Sequence, residues 1–142
     1  MQIPQKIPSL KLVFVLLAVY TAVWISLEGA LWQVVVMGAG YTAVSLGYGW
    51  QKWLGGRVVD GWRWWGVTAV TGLLFGLGSG LLTLVFMAVK TGLHAHGPEF
   101  TPAQINWTLR QTPIWAAASL LAALGLALIF KGRKQKAEGR KM

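Results

Sequence analysis

The chain has 142 residues, enough for one domain, and is 55% hydrophobic but only 12% charged, about half the charge of an ordinary soluble domain. Too few polar groups remain to cover a water-facing surface, so lipid is the expected solvent. No cysteine occurs, which excludes disulfides, thiolate catalysis and Cys-ligated metals.

Four stretches, 12–27, 29–51, 64–89 and 111–130, lack Asp, Glu, Lys, Arg and His. A bilayer core of about 30 Å needs roughly 20 apolar residues per helix. The sequence therefore predicts an all-α integral membrane protein, a four-helix bundle with spans at about 11–28, 30–50, 64–90 and 113–131. The first apolar run follows Lys6 and Lys11 and resembles a signal peptide in outline. No small-residue cleavage site ends it, so an uncleaved helix is expected. Glu28-Gly29 supplies the first hairpin, a charge followed by a residue free to take positive φ. A break at Gly38-Ala39-Gly40 would leave helices of unequal length.

Gly55-Gly56 and Asp60-Gly61 mark a loop between the second and third helices. The segment after the third helix holds His94, His96, Pro98, Pro102 and Pro113. Within it Thr101-Pro102-Ala103-Gln104 reads as a helix cap, predicting a short interfacial helix with Ile105 and Leu109 on one face. The fourth span is expected to start near Pro113, and residues 131–142 to form a disordered basic tail.

Orientation follows the basic residues. With both termini in the cytoplasm, Lys6, Lys11, Lys52, Arg57, Arg63, Lys131, Arg133, Lys134, Lys136, Arg140 and Lys141 lie inside. Only Lys90 and Arg110 lie outside. The tryptophans agree: Trp50, Trp53, Trp62, Trp64 and Trp65 fall at the inner boundary, and Trp24, Trp32, Trp107 and Trp115 near the outer one. A bacterial plasma membrane is the expected location.

Three groups of residues are candidates for function. Gly72, Gly76 and Gly80 strip one face of the third helix of side chains, and Ser119, Ala123 and Ala127 do the same on the fourth. Such faces pack helices closely, within one bundle, a homo-oligomer or a larger membrane complex. His94, His96 and Glu99 form the only cluster of metal-ligand types, two imidazoles and a carboxylate that zinc or a similar divalent metal would need to supplement. The paired histidines also suit pH sensing. Lys52, Arg57, Arg63, Lys131, Arg133 and Lys134, interleaved with tryptophan in the inner loop, suit anionic lipid headgroups rather than nucleic acid.

No ionisable residue falls inside a predicted span, and neither a phosphate loop nor a nucleophile with its base is present. No cofactor is expected. The reading is a non-catalytic structural, assembly or accessory subunit acting through helix contacts. The alternatives are a small oligomeric channel or carrier for a neutral or lipid-like solute, and a metal-dependent membrane protein using His94, His96 and Glu99.

Overall fold

The computed structural model describes residues 3–27, 30–93 and 99–139, with side chains as far as Lys131. Four helices follow in order: α1 (Leu10–Ile25), α2 (Leu31–Gly49), α3 (Gly61–Leu93) and α4 (Pro102–Gly139). A π-helical turn, Trp50–Leu54, continues α2. Among the described residues there is no β-strand.

Helix α3 lies between α2 and α4, and α1 packs on α2. At one end of the molecule the Ile3 N–H donates to the Arg57 carbonyl (3.2 Å) and the Gly56 N–H to the Ile3 carbonyl (2.9 Å). This ties the amino-terminal segment to the α2–α3 connection. Gly56 (φ 77°) and Gly61 (φ 58°) turn the chain there, in a backbone region that side-chain-bearing residues rarely adopt. The carboxyl ends of α1 and α3 meet at the opposite end, so successive helices run antiparallel.

Two helices, α3 and α4 as far as Lys131, are long and apolar enough to cross a membrane. The 33 residues of α3 extend about 50 Å, whereas the 16 of α1 reach only about 24 Å. Large aliphatic side chains are exposed along all four helices, among them Leu12 and Val19, Val36, Leu81 and Val85, and Leu121 and Leu128. The interior holds Thr42, Thr68, Ser79, Thr83, Lys90, Thr108 and Thr112 beside apolar residues such as Trp24, Val34, Met37, Met87 and Phe100. Most of these hydroxyls donate to the carbonyl four residues back, as Thr42 does to Gly38 (2.7 Å), Thr83 to Ser79 (2.7 Å) and Thr112 to Thr108 (2.8 Å). A buried hydroxyl is thus satisfied without leaving its own helix.

The first break falls between Ile25 and Leu31, around Glu28 and Gly29, which lie outside the described residues. The alternative at Gly38–Gly40 is continuous helix, because Gly38 packs directly on α3. The α2 start is fixed instead by Gln33, whose Oε1 accepts from the Ala30 N–H at 3.0 Å.

Two expectations about the last helix need correction. The cap is present: the Gln104 N–H donates to Thr101 Oγ1 (3.3 Å), and the Thr101 N–H donates to Gln104 Oε1 (2.8 Å). The helix it opens is not a separate interfacial piece, however, since α4 runs unbroken through Pro113. Proline removes one backbone hydrogen bond. Thr112 against Gly80 and Ala116 against Gly76 nonetheless hold the chain on α3 on either side of it. Nor is the basic tail irregular from residue 131, for α4 continues to Gly139 through a Lys- and Arg-rich run in which only Gly132 and Gly139 are poor helix formers.

Candidate functional site

The glycine face of α3 is turned onto α4. A Cβ on Gly72 would stand 2.7 Å from both the Ala123 Cβ and the Ser119 carbonyl oxygen, closer than real Cβ atoms approach. At Gly76 it would meet the backbone of Ala116 and the Ser119 hydroxyl, and at Gly80 the side chain of Thr112. Ser119 Oγ also donates across the interface to the Gly72 carbonyl at 2.7 Å. Ala127 is buried further down α4. Of the residues singled out from sequence spacing, Gly72, Gly76, Ser119 and Ala123 therefore meet one another, while Gly80 meets a threonine.

The other flank of α3 receives α2 in the same manner. A Cβ on Gly38 would lie 2.6 Å from the Ser79 carbonyl oxygen, and one on Gly78 would lie 2.8 Å from Thr42 Cγ2. Between α2 and α4, above the floor formed by α3, runs an open apolar groove of about 710 Å³. Ala39 and Ala43 form one wall, Ala118 and Ala122 the other, and Phe75 and Gly76 part of the floor. At its end near the α2–α3 connection, Trp50 Nε1 donates to Thr71 Oγ1 at 2.8 Å.

At the opposite end of the molecule lies a feature that local sequence gave no hint of. Lys90, read from sequence as an outer-side charge, is completely buried. Its Nζ donates to the Trp24 carbonyl (3.1 Å) and the Leu27 carbonyl, pairs with Glu99 Oε2 (3.1 Å) and stands 4.3 Å from the Trp24 ring centroid. The last carbonyls of a helix have no partner within it, and a cation there also meets the negative end of the helix dipole. Lys90 thus caps α1 from α3. Trp24 is buried with Val34, Met37, Met87 and Phe100.

This arrangement bears on the metal cluster. Glu99 is the partner of Lys90, whereas His94 and His96 lie outside the described residues. Among the described residues no three metal-ligating side chains come together.

The basic residues singled out from the sequence divide. Arg57 and Arg63 line one recess of about 620 Å³ between α2 and α3 beside their connection, together with Trp53 and Trp62. Lys52 is exposed on the π-helical turn, and Lys131 Nζ stands 5.9 Å from the Trp65 ring centroid. Arg133 and Lys134 belong to the carboxyl-terminal extension of α4.

Chemically, the described residues offer close helix–helix contact, an open apolar groove, a buried cation tying three segments and a basic aromatic recess. No family model matches the chain, and no curated protein or solved structure matches it either.

Proposed function

We propose that the chain is a four-span integral membrane protein of a bacterial plasma membrane, with both termini cytoplasmic. It acts without catalysis, as a structural, assembly or accessory subunit whose working surface is its helices. The observation that carries the membrane reading is the exposure of large aliphatic side chains along all four helices, around an interior that mixes hydroxyls and a lysine with a small apolar cluster. A soluble bundle would reverse this, because large contiguous apolar surface in water drives association. Only 11% of the most apolar window of α4 is buried, which is unlike the core helix of a soluble protein.

The charge pattern supports the orientation. One end carries the amino-terminal segment, Arg57, Arg63 and Lys131, while at the other end Lys90 is paired with Glu99. Basic residues remain on the cytoplasmic side during insertion. With no native cysteine to interfere, single cysteines at Gly56 and Gly139 should resist an impermeant thiol reagent in intact cells, while one at Gly97 labels. Labelling at Gly139 before lysis would overturn this topology.

The accessory role draws its support from the groove between α2 and α4. Both walls carry small residues at their middle, Ala39 and Ala43 on α2 and Ala118 and Ala122 on α4, which let another backbone approach closely. A cysteine at Ala122, exposed on the groove wall, should form a discrete cross-linked species in native membranes, and Ala122→Trp should remove a co-purifying partner. A non-cross-linking monomer, indifferent to Ala122→Trp, would rule the accessory role out and favour transport of a lipid-like solute.

A further inference from the structure

The recess between the inner ends of α2 and α3 changes character along its length. At the loop end it is lined by Arg57 and Arg63 and flanked by Trp62 and Trp53, whose side chains are 80% and 69% exposed. Farther along α3 the lining becomes Val67, Val70 and Leu74. From Arg63 to Leu74 is about 16 Å at 1.5 Å per residue, roughly the depth of one leaflet of a 30 Å core.

The floor is empty because of residue choice. Gly66 lines the recess, and a Cβ added there would meet nothing within 4 Å, in contrast to the packed glycines at 72, 76 and 80. Gly66 therefore leaves space without serving a helix contact. The connecting segment carries Lys52, Arg57 and Arg63 against Asp60, so it is net positive. Guanidinium forks match phosphate oxygens, and amphipathic indoles settle where acyl chains give way to headgroups.

A recess that is cationic and aromatic at one end, aliphatic at the other and one leaflet deep complements one kind of molecule. We propose that it binds a single anionic phospholipid of the cytoplasmic leaflet. The phosphate sits between Arg57 and Arg63, Trp53 and Trp62 stand at the glycerol level, and an acyl chain follows Val67, Val70 and Leu74 across Gly66. The inference rests on the membrane-spanning reading above, and it turns a general attraction of basic residues to headgroups into one defined site.

The test uses the full chain in mild detergent with equal amounts of dioleoyl phosphatidylglycerol and dioleoyl phosphatidylcholine, counting retained lipid by native mass spectrometry. One phosphatidylglycerol should be retained in preference. Arg57→Gln with Arg63→Gln should lower its retention roughly tenfold or more, as expected for two cations near a headgroup. Gly66→Leu should lower it comparably while keeping every charge, and because leucine favours helix over glycine its melting temperature should not fall. Lys6→Gln with Lys11→Gln, which alters a separate crevice between α1 and α2, should leave retention unchanged.

Equal retention of the two lipids, full retention by Gly66→Leu, or equal loss in the lysine variant would overturn the site. So would conversion of a dimer to a monomer by Gly66→Leu with lipid retention intact, since the occupant would then be a second copy. Failure of the membrane reading would be seen separately, as a chain recovered from cells without detergent before any lipid is counted.

Discussion

Helices α3 and α4 are joined along their length, whereas α1 is joined to α3 chiefly at one point. The long seam works by subtraction: glycines at 72, 76 and 80 remove side chains so that backbone meets backbone, and Ser119 adds one cross-helix hydrogen bond. The point contact works by addition. A four-carbon stem carries an ammonium into the interior, where two carbonyls, a carboxylate and an indole face surround it. In lipid the hydrophobic effect does not press helices together, so close packing or a polar tie must. A seam spreads its stabilisation over many weak dispersion contacts. A tie concentrates it in one residue, and the two should fail differently.

The largest effect is expected at the centre of the seam. Gly76→Leu should destabilise the protein by more than about 3 kcal/mol, the upper part of the overpacking range, because the atoms it meets are the Ala116 backbone and cannot swing aside. Leu81→Ala, at an exposed position, should cost no more than about 0.5 kcal/mol. Melting in detergent compares the two, and equal tolerance would mean that α3 and α4 do not meet at Gly76.

Next comes the tie. Lys90→Met keeps a similar stem but removes the ammonium's contacts with Glu99 and with the Trp24 and Leu27 carbonyls, for a loss of about 2–3 kcal/mol, discounted for the partial exposure of Glu99. The damage should be local. Amide exchange should rise in α1 and remain unchanged across the α3–α4 seam. Uniform acceleration in all helices would show that seam and tie are a single cooperative unit and end the distinction drawn here. The smallest effect sharpens the account of the seam: Ser119→Ala should cost only about 0.6 kcal/mol, typical of a hydrogen bond between membrane helices. A loss several times larger would make the seam depend on its polar contact rather than on its shape.

What could be read in the sequence was whatever depends on near neighbours. The Thr101–Gln104 cap, the apolar stretches and the periodicity of Gly72, Gly76 and Gly80 involve residues within one or two turns of each other. The partners of those glycines were half legible: Ser119 and Ala123 repeat at a matching interval, but Thr112 and Ala116 do not advertise themselves as a packing surface. Pro113 misled for a related reason. Its local preference is to begin a helix, and contacts on α3 override it. The burial of Lys90 and Trp24 was not legible, because their contact is made across 66 positions of chain. The recess beside the α2–α3 connection was visible as alternating tryptophan and basic residues. That Gly66 leaves its floor open could not be seen, since nothing in the sequence separates that glycine from the ones that pack.

The Lys90 tie also sets a timetable for biogenesis. The carbonyls it satisfies belong to Trp24 and Leu27, which leave the ribosome 66 and 63 residues before it. At 5–20 residues per second that gap is roughly 3–13 s. Throughout it the carboxyl end of α1 lacks the ammonium that ties it to α3, so its final contacts form only once the third helix has been made. Nascent chains arrested just short of residue 90 should leave the end of α1 untied, and chains arrested beyond Glu99 should show it protected.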